Sequence, residues 1–132
     1  MDAVVHFEMP YDNRDRIARF YEAAFGWKLQ MLGEDMGNYV LATTAEGDVM
    51  PAGKGNRGAI NGGFFPRSPD MPGQHPSVVV GVQDIQAAMK AVAKAGGEVL
   101  GTPMRIPGVG DYVAFYDTER NRLSMLQPLM PA

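Results

Sequence analysis

The chain has 132 residues, of which 45% are hydrophobic and 20% are charged, and its formal net charge is -3 at pH 7. This length suits one globular domain with a buried core, and the acidic balance with scattered Lys and Arg residues argues against a nucleic-acid partner. The absence of cysteine excludes disulfides, thiolate metal sites and cysteine nucleophiles. We see neither a signal peptide nor an apolar run near the roughly 18 residues of a membrane span, so a soluble cytoplasmic protein is expected.

Residues 4–9 form the first predicted strand. Alternation places His6 and Glu8 on one of its faces, and the other face carries Val5, Phe7 and Met9. One face is therefore apolar, and the other carries groups that can take part in chemistry.

An amphipathic helix is predicted to follow this strand. Apolar residues recur at helical spacing from Ile17 to Phe25, Asn13 is a candidate N-cap, and Gly26 suits the left-handed position that ends many helices. Residues 27–31 alternate again, which predicts a second strand.

The next predicted elements are a strand at 38–43, a polar loop at 44–58 and a strand at 59–65. The last of these has Gly62 and Gly63 at its centre. Glycines inside a strand usually mark a bulge or a close approach of backbone or ligand.

The second half repeats the order of the first. A strand at 77–82, an N-cap candidate at Asp84 and a helix ending at Gly96 and Gly97 are followed by three strands, which lie near 98–103, 111–117 and 123–127. We therefore predict one domain built from an internal duplication, with halves at about 1–66 and 77–132 and a linker at 67–76. A sheet covered by a helix on one face leaves its other face to curl around something.

The paired halves and the helix end FYEAAFGW, at residues 20–27, resemble the vicinal oxygen chelate superfamily. That superfamily contains glyoxalase I, bleomycin resistance proteins and extradiol dioxygenases. The resemblance implies an α+β fold of two βαβββ modules whose cupped mixed sheets surround a cavity. It also implies two chains per assembly, so a homodimer is expected.

Catalytic members of this superfamily hold a divalent metal with four side chains, one from the first and last strand of each module. His6 matches the first of these positions, whereas the fourth strand offers Asn61, Gly62 and Gly63, the fifth Ser77 or Val78, and the last Ser124. One matching ligand is too few for a metal ion, so we expect no bound metal and no other cofactor. In the alternative, His6, Glu8 and His75 converge as a facial triad around a divalent metal.

Two functions follow as hypotheses. In the first, the cavity binds a small apolar or aromatic molecule without a metal, and the predicted pocket consists of His6, Glu8, Asn61, Gly62, Gly63, Val78 and Ser124. In the second, the protein is a lyase or dioxygenase of the glyoxalase-related type, with Glu8 or His6 as general acid or base, or with a metal. Two structural interpretations stay open: a salt bridge from Glu8 to Arg105 or Arg122, and a bulge at Gly62 and Gly63.

A third possibility is that the protein is mainly a dimeric partner module. The apolar strand at 77–82 would then be an exposed edge available for pairing.

Overall fold

The computed structural model describes residues 1–45, 58–70 and 74–129. Within these ranges the chain forms strands β1 to β8 and helices α1 and α2. In chain order they are β1 (Val4–Tyr11), α1 (Arg14–Phe25), β2 (Lys28–Met31), β3 (Val40–Thr43), β4 (Asn61–Pro66), β5 (Ser77–Gly81), α2 (Ile85–Lys94), β6 (Glu98–Ile106), β7 (Gly110–Tyr116) and β8 (Arg122–Pro128). The chain divides into two compact units, an N-terminal unit of Val5–Pro76 and a C-terminal unit of Ser77–Ala132 together with Met1–Val4.

The N-terminal unit is a mixed sheet in the order β2-β3-β4-β1, with α1 on one face. β1 runs parallel to β4, and the other neighbours are antiparallel. The predicted helix caps are confirmed: the Asn13 side chain accepts from the Arg16 N–H at 2.9 Å, and Gly26 has φ of 73°. These two residues satisfy free backbone groups at the helix ends.

Packing of α1 defines the core of the N-terminal unit. Val40 and Phe64 are fully buried there, beside Tyr11 and Ala42. The partly buried residues that surround them are Phe7, Met9, Ile17, Tyr21, Trp27 and Leu29. Because side chains alternate along a strand, His6 and Glu8 project from the opposite face of β1.

The C-terminal unit has the same plan, with strands in the order β5-β8-β7-β6 and α2 packed on a core of Val82, Ile85, Val113 and Met125. β5 runs parallel to β8. Asp84 caps α2 as predicted, accepting from the Ala87 N–H at 3.1 Å. Both units thus have the order βαβββ with mixed pairing, and the α+β fold prediction is confirmed.

Two local expectations differ from the structure. β6 continues beyond its predicted end near Pro103 to Ile106, because a shift in register between Leu100 and Met104 accommodates Gly101, whose φ is 86°, and the proline. β4 keeps an unbroken register with β1 from Asn61 to Pro66, so Gly62 and Gly63 form no bulge.

Other expectations concern larger segments. Most of the loop predicted at 44–58 lies outside the described residues. The division into a single domain with halves at about 1–66 and 77–132 stays a prediction. In the described part of the chain, no helix combines the length and apolar character needed to cross a membrane.

Candidate functional site

A hydrogen-bonded chain connects two of the predicted site residues through a tyrosine. The Tyr39 hydroxyl donates to Glu8 Oε2 at 3.0 Å and lies 3.0 Å from His6 Nε2. A phenol has one proton, and here it points to the carboxylate, so His6 Nε2 donates its own proton to the Tyr39 oxygen. The three side chains therefore form a directed series from imidazole to phenol to carboxylate.

Gly63 makes this contact possible. Tyr39 directly precedes β3, and β4 separates β3 from β1. Gly63 pairs with Leu41 on one side and with Glu8 on the other. A Cβ atom at Gly63 would overlap the Tyr39 ring, so only glycine lets the ring cross β4 to reach β1.

Gly62 serves a similar purpose on the opposite face of the sheet. A Cβ atom there would overlap the Phe7 ring, which belongs to the core beneath α1. The space above each glycine is thus filled by an aromatic ring of the chain itself. Sequence reasoning had assigned that space to a ligand or a bulge.

Burial lowers the pKa of the His6 imidazole below its usual 6.5, and the negative charge of Glu8 acts in the opposite direction with a smaller effect. His6 is therefore neutral at pH 7. With its proton on Nε2, the Nδ1 atom holds a lone pair that can accept a proton.

Asn61 lies on the same face, opposite His6 in the β1–β4 register. Its Oδ1 accepts from the backbone N–H groups of Thr44 and Ala45, at 2.8 and 3.3 Å. The Asn61 side chain, at the start of β4, thereby fixes the position of the two residues that follow β3. We define the polar face as His6, Glu8, Tyr39, Asn61 and Gly63.

The remaining predicted pocket residues belong to the C-terminal unit. Ser124 is only 4% exposed, and its Oγ lies 2.5 Å from the Tyr112 hydroxyl. Val79 pairs with Ser124, so alternation places Ser77 on the face of Ser124 and Val78 on the face covered by α2. Of the two candidates for the fifth-strand position, Ser77 thus shares the face of Ser124.

The donors do not suit a metal ion. Among residues 1–45, 58–70 and 74–129, no three His, Asp or Glu side chains gather as ligands, and the proposed triad of His6, Glu8 and His75 does not assemble. His75 is exposed, and His6 Nε2 already donates to Tyr39. Arg105, one candidate partner of Glu8, instead pairs with Asp111 at 2.5 Å.

Tyr39 was missed as a functional residue. Its contact with β1 depends on the register of three strands, which the sequence alone does not provide. The available signal was a tyrosine at the start of one strand and a glycine in the next.

The architecture and the polar face identify a class of protein. It consists of two βαβββ units, each a mixed sheet with parallel first and last strands. In the N-terminal unit the first strand presents the polar side chains His6 and Glu8. The model of the Glyoxalase/Bleomycin resistance protein/Dioxygenase superfamily matches residues 3–125. The chain belongs to this superfamily.

Two relatives are each 30% identical to this chain over the aligned residues. A glyoxylase-like domain-containing protein of Didymella fabae matches over 117 residues, covering 86% of this chain and 84% of its own length. A Mycobacterium bovis protein provisionally named glyoxylase CFP32 matches over 121 residues, covering 92% of this chain and 42% of its own length.

Solved structures share the fold at low identity. A methylmalonyl-CoA epimerase in complex with methylmalonyl-CoA and NH4+ superimposes with a TM-score of 0.70 at 15% identity, covering 97% of this chain and 95% of its own. The hypothetical protein BH1468 of Bacillus halodurans gives 0.68 at 13% identity, covering 99% and 97%. At these identities the likeness concerns the fold alone.

Proposed function

We propose that the polar face of the N-terminal unit binds a small organic molecule and exchanges a proton with it. One observation supports this proposal above others: His6 and Glu8, a base and a carboxylate, are held in one hydrogen-bonded series by Tyr39. A neutral imidazole and a carboxylate are the side chains that most often serve as general bases. Neither needs a metal ion for this role.

The same face also offers apolar contact to a ligand. Leu41 pairs with Gly63, and Phe65 lies two residues beyond Gly63, so both project on the side of His6 and Glu8. Both are partly buried. Apolar walls with a few fixed polar groups are typical of small-molecule sites.

Binding without turnover is the second candidate, and Leu41 and Phe65 favour it because apolar contact alone can retain a ligand. Sequestration of bleomycin by members of the superfamily is the precedent that the resemblance supplies. A metal-dependent lyase or dioxygenase fits less well, since the donors described above are engaged with one another.

Proton exchange in deuterated buffer tests the proposal. The purified chain, treated with a chelator, is mixed with small carbonyl compounds, including aldehydes, 2-oxo acids, thioesters and methylmalonyl-CoA, and deuterium uptake is followed by NMR. We expect catalysed uptake into at least one compound, and a loss of about 100-fold in Glu8→Gln, the range typical for a general acid or base.

Glu22→Gln is the matched control, since it makes the same substitution at an exposed glutamate of α1 and leaves Glu8 unchanged. Binding of a compound without deuterium uptake would replace the enzyme proposal with the binding role. Deuterium uptake that occurs with the untreated chain but not with the chelator-treated chain would contradict the metal-free mechanism.

We also propose that the chain forms a homodimer, in keeping with the superfamily resemblance, and that it is located in the cytoplasm, as the sequence predicts. Light scattering on the purified chain tests the assembly: a mass of twice 14.3 kDa is expected.

A further inference from the structure

We infer that Tyr39 is a positioning residue that passes a proton between His6 and Glu8, so that a proton accepted at His6 Nδ1 ends on the Glu8 carboxylate. This inference rests on the proposed function and deepens it. It joins the two candidate bases into one acid–base unit, in which His6 accepts the proton from the ligand and Glu8 holds it afterwards.

The steps balance without a lasting change of charge at His6 or Tyr39. A ligand proton bonds to His6 Nδ1, the Nε2 proton moves to the Tyr39 oxygen, and the phenol proton moves to Glu8 Oε2. Imidazole and phenol end neutral, with the imidazole now protonated on Nδ1. The carboxylate becomes a carboxylic acid, and the ligand keeps the electron pair of the broken bond. Reversal returns a proton to the ligand.

Distance along β1 explains why an intermediate residue is needed. His6 and Glu8 are two residues apart, which corresponds to roughly 7 Å along an extended strand. The Tyr39 hydroxyl lies 3.0 Å from an atom of each, within the range for direct proton transfer.

Burial gives the relay a physical advantage. A charged imidazolium is disfavoured at the His6 position because the ring is partly buried from water, which also lowers its pKa. Passing the second proton onward allows His6 to act as a base while it stays neutral. The same transfer neutralises the negative charge of the Glu8 carboxylate.

The direction of the hydrogen bonds makes the inference measurable without any ligand. If Tyr39 donates to Glu8, the His6 proton must reside on Nε2. The ¹⁵N shifts of an imidazole distinguish its two tautomers. The chain has two histidines, so His75→Gln assigns the spectrum to His6.

Tyr39→Phe is the decisive variant, because phenylalanine keeps the ring over Gly63 and removes only the hydroxyl. We expect wild-type His6 to be mainly the Nε2–H tautomer and the variant to shift toward a mixture, with deuterium exchange reduced at least tenfold. Tyr116→Phe, which removes a phenol from the far end of β7, should change neither quantity. Thermal melting confirms that both variants fold.

The outcomes separate the two proposals. An unchanged His6 tautomer in Tyr39→Phe would overturn the relay even where the wild-type protein exchanges protons with a ligand. A shifted tautomer with full exchange activity would also overturn it. The deuterium-uptake assay is separate from the NMR measurement of the tautomer. If the wild-type chain catalyses uptake into none of the compounds, the proposed function and the relay are both refuted. If Tyr39→Phe does not fold, Gly63→Ala displaces the same ring and should give the same two changes.

Discussion

The two units contain the same tyrosine in the same place and use it differently. Tyr39 lies two residues before Leu41, which pairs with Gly63. Tyr112 lies two residues before Ala114, which pairs with Ser124. The register thus makes the two tyrosines equivalent, and it makes Gly63 equivalent to Ser124.

One side chain on the last strand accounts for the difference. Ser124 meets the Tyr112 hydroxyl at 2.5 Å, whereas Gly63 leaves space for the Tyr39 ring to cross β4. The first strands differ as well, since Gly63 pairs with Glu8 but Ser124 pairs with Val79, which has no polar group to bind. Both units have the tyrosine at this position, and the residue opposite it on the last strand decides whether the phenol reaches the first strand.

Copying the C-terminal arrangement into the N-terminal unit should have the largest effect. In Gly63→Ser the new side chain overlaps the Tyr39 ring, so the ring must leave Glu8 and His6. We expect proton exchange to fall about 100-fold and the free energy of unfolding to fall by about 1–3 kcal/mol, the usual cost of overpacking. Deuterium uptake and urea unfolding measure the two. Retained exchange at the wild-type rate would contradict the role given to Gly63.

The reverse change should be milder. Ser124→Gly removes a hydrogen bond to Tyr112 and adds a flexible glycine to a strand interior, which together cost about 1–2 kcal/mol. Ser124→Ala separates the hydroxyl from the backbone effect. Urea unfolding checks both, and equal stability of all three proteins would show that the Tyr112–Ser124 contact contributes nothing measurable.

The smallest expected effect is the dependence of stability on pH that His6 supplies in the N-terminal unit. Burial lowers the His6 pKa in the folded chain, so the unfolded chain binds this proton more tightly. The contribution of neutral His6 to the free energy of unfolding is complete above pH about 6.5, and it is lost as the pH falls through the folded-state pKa. The equivalent residue Ser77 does not titrate.

Urea unfolding between pH 7.5 and 5 tests this effect by comparing the wild type with His6→Gln. The wild type should lose more stability over the range than the variant, and His75→Gln should behave like the wild type. Identical pH profiles for wild type and His6→Gln would refute the effect of burial on His6.

Local signals predicted the fold well. Asn13, Asp84 and Gly26 act through backbone groups a few residues away, and strand alternation assigned His6 and Phe7 to opposite faces. The superfamily match confirms what these patterns and the repeated halves indicated.

The site was less predictable because it depends on distant strands. His6 and Glu8 could be selected from β1 alone, but their link through Tyr39 requires the register of β3, β4 and β1 together. The same register also changes the interpretation of Gly63: its missing side chain makes room for the Tyr39 ring and not for a ligand. Sequence separations of 31 and 33 residues between Tyr39 and its partners leave no local pattern to detect.

The stacking beneath α1 also gives this protein an optical reporter. Trp27 is the single tryptophan of the chain. The centroid of its ring lies 4.6 Å from the centroid of the Tyr21 ring and 5.6 Å from that of the Phe7 ring. Phe7 follows His6 on β1, on the other face of the sheet. If the proposed ligand shifts β1 at the polar face, we expect Phe7 to move against the indole, so that the intrinsic fluorescence of the unlabelled protein reports binding from the opposite side of the sheet.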